Sequence, residues 1–186
     1  MQRIAQWGAE EVNNKPKYNG EGNMNSKKGT GLVLFLFFMS IAGIVLASDT
    51  YDYKNNCPKN GGKMIADKWN FYQCECTSYA ADKMNEHSVK LNNSYKGVRW
   101  GYASNWINAA NAAHISYNTS PKHRDIAWFK YSATSYHVAY VESVDSKGNI
   151  TVSEYNYKPY VYSNPMRTIK KGSSGYPKYF IHFGAK

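Results

Sequence analysis

The 186-residue chain has no internal repeat, no heptad pattern and no Gln/Asn-rich or Pro-rich tract, which excludes solenoids, coiled coils and low-complexity chains. It is poor in acidic residues, with 13 Asp plus Glu against 23 Lys plus Arg, for a formal net charge of +10. It carries no helix-turn-helix, zinc-finger or RNA-recognition signature, so this charge is not assigned to nucleic acid. Cysteine is scarce at three residues, and the odd count leaves one thiol over after any single bridge. Tyrosine is abundant at 17 residues and five tryptophans join it, a composition for one packed globular domain with appendages.

Only one stretch is strongly apolar. The basic segment Met24-Asn25-Ser26-Lys27-Lys28-Gly29-Thr30 leads into an apolar run from Leu32 to Leu46 that closes on Val45-Leu46-Ala47. This is the pattern of a secretory signal peptide, 24–47, cleaved after Ala47. The run falls short of the ~20 residues that span a bilayer, which favours cleavage over a retained anchor and leaves no stable membrane insertion afterwards. Residues 1–23 are read as an upstream extension and Met24 as the natural start, because Gly20-Glu21-Gly22-Asn23 back-translates to a purine-rich stretch suited to a ribosome-binding site. Removing 1–47 takes away five basic and three acidic residues, leaving 18 against 10 and a net charge of +8. A basic exported domain suits the anionic polymers of a bacterial envelope.

Residues 48–68 read as a polar, turn-rich segment before a domain spanning 69–186. Thr77 to Glu86 has an apolar stripe at helical spacing, and Ser104 to Ala113 reads as a second helix with Ser104 as its N-cap. The period then changes to two. Asp125 to Phe129, His137 to Val144, Ile150 to Tyr157 and Tyr179 to Phe183 read as strands, with Asp145-Ser146-Lys147-Gly148-Asn149 as a hairpin turn. Helices followed by strands predict an α+β domain with an antiparallel sheet.

Cys57, Cys74 and Cys76 would meet an oxidising compartment on export. A bridge between Cys74 and Cys76 is strained by their one-residue spacing, so Cys57 pairs with one of them and the spacing leaves open which. Cys76 directly precedes the Thr77 helix, where the dipole and unpaired N–H groups favour a thiolate and can hold an oxyanion. That placement assigns Cys76 as the nucleophile and Cys57–Cys74 as the bridge. A zinc site is disfavoured because the Cys74–Cys76 spacing is tighter than metal-ligand spacing requires; no metal or cofactor is expected.

A nucleophilic cysteine requires a histidine and a group that orients it. His137 opens its strand, and Glu154 and Asn156 share one face of the next. Simple register about Lys147 sets Asn156 closer to His137 than Glu154, and a bulge would exchange them. His87, His114, His123 and His182 read as solvated or packing residues. The tyrosines of 155–162 and 176–179 read as cover for a sheet face, with glycan stacking as the sharper alternative.

The segments Cys76-Thr77-Ser78-Tyr79-Ala80-Ala81, Trp106-Ile107-Asn108-Ala109-Ala110, Pro121 to Phe129, His137-Val138-Ala139-Tyr140-Val141-Glu142-Ser143-Val144, Ile150 to Tyr157 and Tyr179 to Phe183, in this order and spacing, resemble a CHAP domain. These are the cysteine, histidine-dependent amidohydrolases/peptidases, papain-like enzymes of the bacterial envelope, and the likeness runs from about Trp69 to Phe183. It implies helices carrying the cysteine packed on a C-terminal antiparallel sheet, and hydrolysis of an amide bond in peptidoglycan as an endopeptidase or N-acetylmuramoyl-L-alanine amidase. On this likeness Cys76 is the nucleophile, His137 the base, Glu154 the usual third member and Asn156 a polar residue often found two positions later. The chain departs from the family where Glu75 replaces the usual Gln before the nucleophile, where Arg124 stands for a common glycine, and where Tyr136 replaces the glycine before His137. The alternatives are a non-catalytic envelope-binding domain and a secreted antibacterial effector, with an immunity or targeting protein as partner.

Overall fold

In the computed structural model, residues 48–57, 59 and 63–185 are described. The proposed extension and signal peptide lie outside them. Six strands form one antiparallel sheet: β1 (Tyr117–Asn118), β2 (Ile126–Lys130), β3 (Tyr136–Val144), β4 (Ile150–Ser153), β5 (Arg167–Ile169) and β6 (Tyr179–Ile181). Their order is β1-β6-β2-β3-β4-β5, and every neighbouring pair runs antiparallel. Two helices, α1 (Cys76–Glu86) and α2 (Trp106–Ala112), precede the sheet in the chain. This is the papain-like α+β arrangement, with a cysteine-bearing helix against an antiparallel sheet.

The core follows from the alternation of the strands. Ile126 and Trp128 of β2 and Val138 and Tyr140 of β3 project to one face, where they cluster with Ala80 and Met84 of α1 and Trp106 of α2. Ala127, Phe129, Ala139 and Val141 project to the other face and join Ile150, Val152, Ile169 and Phe180. Ala80 and Ala81 are fully buried, so α1 presents small side chains to the sheet. It ends where the Asn85 side chain donates to the carbonyls of Ala81 at 2.7 Å and Leu91 at 2.8 Å. Ser104 does not cap α2. It lies in a 3₁₀ turn, Ala103–Asn105, that leads into the helix, and no side chain caps α2.

The hairpin between β3 and β4 decides what reaches the site. Asp145 organises its turn by accepting from the Lys147 and Asn149 N–H groups, and Gly148 supplies the left-handed φ of 78° that disfavours other residues. The register shifts between Val141 and Ser143, a bulge that inserts one residue into β3. β4 ends at Ser153 rather than continuing to Tyr157, because Tyr155 bridges Tyr162 and Asn156 adopts a left-handed φ of 63°.

The segment that reads as polar from its sequence is partly core. Tyr51 is fully buried, packed 4.7 Å from the ring of Tyr155 and 5.7 Å from that of Tyr79. Its hydroxyl bonds Ser78 in α1 and accepts the Cys74 N–H at 3.1 Å. Ser78 donates to Asp67, whose carboxylate also accepts the Trp69 and Phe71 N–H groups at 2.8 and 2.9 Å. Every buried polar group in this network has a partner, which holds the turn just ahead of Cys76 in one conformation.

Cys57 and Cys74 form a disulfide across a separation of 17 residues, with Cα atoms 5.7 Å apart, and Cys76 is free and buried. A loop of this length removes unfolded-state entropy worth ~3 kcal/mol. The Cys57→Ser/Cys74→Ser variant is therefore expected to lose about 2–4 kcal/mol of unfolding free energy, measured by denaturant titration against the oxidised parent.

Candidate active site

Cys76 is the first residue of α1, and Glu75 before it is extended, with ψ of 155° and no side-chain cap on the helix. The first-turn N–H groups therefore remain available to a developing negative charge. Cys76 and Glu75 line a cleft of about 810 Å³, together with Tyr72, Arg99, Tyr102 and Tyr136. The rings of Tyr72 and Tyr102 stand 6.1 Å apart.

His137, near the start of β3, is 5 % exposed. Its Nε2 lies 2.8 Å from Oε2 of Glu154, and Cys76 is close enough to the ring to favour its protonated form. With Nε2 committed to the carboxylate, Nδ1 is the nitrogen left for sulfur. Phe129 and Tyr157 approach the imidazole at centroid distances of 5.8 and 6.1 Å, which fixes its plane and excludes water.

Glu154 is fully buried. Besides His137 it receives Arg167, which donates through Nε to Oε1 and through Nη2 to Oε2 at 3.0 Å. The guanidinium in turn lies 3.7 Å from the Tyr157 ring centroid. Burial opposes the carboxylate's charge, but the hydrogen bonds and positive charges of His137 and Arg167 outweigh it and hold Glu154 below its usual range. A buried ion on this scale persists only with such partners.

Burial likewise opposes a charged imidazole. The charge of Cys76, joined by the hydrogen bond and charge of Glu154, reverses that effect and raises His137 to about 9. Because the folded value exceeds the unfolded one, the imidazolium's contribution to stability is fully present below pH ~6.5. It is lost as the pH rises through about 9. The His137 ring protons should titrate near that value by NMR, and Cys76→Ala should move the midpoint down, since the sulfur supplies the leading favourable interactions.

The structure thus brings three of the sequence-derived site residues together, with His137 hydrogen-bonded to Glu154 and within electrostatic reach of Cys76. Asn156 stands elsewhere: simple register would set it nearer His137, but its Nδ2 donates to Glu75 at 2.6 Å. The β3 bulge and the early end of β4 turn it away and leave Glu154 at the imidazole. Arg167 was not legible as a site residue, for it sits in a three-residue strand with no motif around it. Of the remaining histidines, His182 meets Asp125 at 2.8 Å through Nδ1 and His87 stacks on Tyr140, while His114 and His123 are exposed.

Among the described residues, no group of three or more His, Cys, Asp or Glu could hold a metal ion, and no helix is long and apolar enough to cross a membrane.

A family model described as CHAP domain matches residues 66–156. The chain is 38 % identical over 133 residues to staphylococcal secretory antigen ssaA2 of Staphylococcus aureus (strain NCTC 8325 / PS 47), an alignment covering 67 % of this chain and 45 % of that protein. It is 34 % identical over 132 residues to staphylococcal secretory antigen SsaA of the same strain, covering 67 % and 47 % respectively. A solved N-acetylmuramoyl-L-alanine amidase from Staphylococcus aureus aligns at 25 % identity with a TM-score of 0.49, covering 63 % of this chain and 33 % of that one. The chain spans a little under half the length of these curated relatives.

Proposed function

Through residues 66–156 the chain is a member of the CHAP domain family, and from that premise we propose that it is an exported peptidoglycan hydrolase that cleaves an amide bond through a Cys76 acyl-enzyme. One observation carries the reading: a buried histidine hydrogen-bonded to a buried glutamate and set beside the free cysteine, which itself lines a cleft.

The chemistry follows from these positions. The Cys76 thiolate attacks the amide carbonyl, and backbone N–H groups of the first turn of α1 hold the oxyanion. His137 gives its proton to the leaving amine, and the acyl group stays on sulfur as a thioester. His137 then takes a proton from water, the resulting hydroxide attacks the thioester, and the carboxylate product leaves as the thiolate returns. Glu154 keeps Nε2 protonated and the ring in plane, Arg167 positions Glu154, and Asn156 positions Glu75. Endopeptidase and amidase action both fit this scheme, since each breaks an amide.

Peptidoglycan is the polymeric substrate in this reading, and the charge of +8 that remains after Ala47 attracts the domain to anionic envelope polymers. Export by residues 24–47 accords with the secretory antigens it resembles. The test is alkylation. Iodoacetamide near neutral pH should modify Cys76 rapidly and at a single site by peptide mapping, with loss of wall hydrolysis in step. A slow, non-selective reaction, or activity that survives full modification, would favour a non-catalytic envelope-binding domain.

A further inference from the structure

Glu75 stands directly before the nucleophile, lines the cleft, and takes no chemical part in the steps above. Its carboxylate is held in one place. Oε2 accepts the Asn156 Nδ2 at 2.6 Å, and the Asn156 amide is anchored from its other end, where Oδ1 accepts the Tyr160 N–H at 2.9 Å. Oε1 accepts no hydrogen bond among the described residues. No Lys or Arg among them forms an ion pair with Glu75, even though basic residues dominate the chain. Arg99 lines the same cleft and does not pair with it. Burial raises the Glu75 carboxyl, and the Asn156 hydrogen bond and the charge of His137 only oppose that rise.

A carboxylate partly withdrawn from water and satisfied on one oxygen by a neutral amide is an incomplete arrangement. The His137 imidazolium offsets its charge only at a distance, which leaves the other oxygen open to a further cation, and the cleft onto which Glu75 opens is where a substrate lies. We infer that Glu75 is a specificity-determining residue whose free oxygen receives an ammonium group carried by the substrate beside the scissile amide. The substrate class is then narrower than peptidoglycan amides in general: a peptide with an unblocked amine next to the bond that is cut. A substrate carboxylate at the same place would face both Glu75 and the Cys76 thiolate and be repelled. This inference rests on the peptidoglycan reading.

The test uses two muropeptides, one with its free amino groups intact and one N-acetylated. Calorimetry with Cys76→Ala protein reads binding without turnover. Acetylation is expected to weaken binding about tenfold, and in Cys76→Ala/Glu75→Gln the two fragments are expected to bind alike. Equal binding of both by Cys76→Ala, binding of neither, or discrimination that persists after Glu75→Gln would overturn the assignment. Turnover by the otherwise unmodified enzyme separates the two claims. Equal kcat/KM on both fragments counts against the role of Glu75 alone, whereas amine-dependent binding without hydrolysis of either counts against the hydrolase reading alone. If Glu75→Gln instead lowers kcat/KM equally for both fragments, Glu75 acts through His137 rather than on the substrate, and the inference falls.

Discussion

Cys76→Ala protein is expected to release no fragments from purified peptidoglycan above background, a fall in kcat on the order of 10⁴-fold or more, with a thermal transition close to that of the parent. The size follows from the absence of a substitute nucleophile. Cys57 and Cys74 are consumed by their disulfide, and no other cysteine exists in the chain. A small residue replaces a thiol that is 8 % exposed at the cleft wall, so folding is little affected. Cys74→Ala provides the contrast, since it breaks the bridge and costs stability while the folded fraction keeps its activity. Loss of activity with Cys74→Ala and its retention with Cys76→Ala would reverse the roles of the two cysteines.

Glu154→Gln is expected to lower kcat by about 10²- to 10⁴-fold with a smaller change in KM. The isosteric amide can still accept from Nε2 through its oxygen, but it no longer balances the imidazolium, and its NH₂ confronts the Arg167 guanidinium. Two consequences separate this from simple damage. The His137 midpoint should fall below about 9, because one of its two stabilising partners has lost its charge. Rates should also decline at a lower pH on the alkaline side, since the protonated imidazole is the acid that expels the amine. An unchanged His137 titration together with reduced kcat would show that Glu154 acts by some route other than the imidazole. Unfolding must be followed in parallel, because Arg167 loses its bidentate partner and removal of one member of a buried pair costs roughly 3–5 kcal/mol.

How far the sequence could take these conclusions depended on how local each determinant is. The helix after Cys76 and the strand after His137 carry their periodicity within a few residues, and the bridge followed from the strain of a one-residue cysteine spacing together with the place of Cys76 at the helix start. These features survive intact in the structure. The identity of the group on His137 was harder, because Glu154 and Asn156 differ by one full alternation and only the bulge between Val141 and Ser143 and the end of β4 at Ser153 decide between them. Bulges of this kind have no reliable signature in residue type. Arg167 was invisible for a related reason: β5 is three residues long, and its position beside β4 is a tertiary fact. Tyr51 was misleading in another way. A residue that reads as part of a polar turn-rich segment is fully buried, because its ring packs while its hydroxyl finds Ser78 and the Cys74 N–H. Glu75 was legible as an anomaly beside the nucleophile, and its clamp on Asn156 required the fold.

End-group analysis of the fragments released from purified peptidoglycan by the protein beginning at Ser48, performed by mass spectrometry in ¹⁸O-water, tests the central claim most directly. The expected result is soluble fragments with paired new amino and carboxyl termini at one kind of amide bond, the label in the carboxyl group, and none of these fragments with Cys76→Ala. Release of new reducing sugar ends without amide cleavage, or no release at all by a protein whose Cys76 is free and reduced, would contradict it.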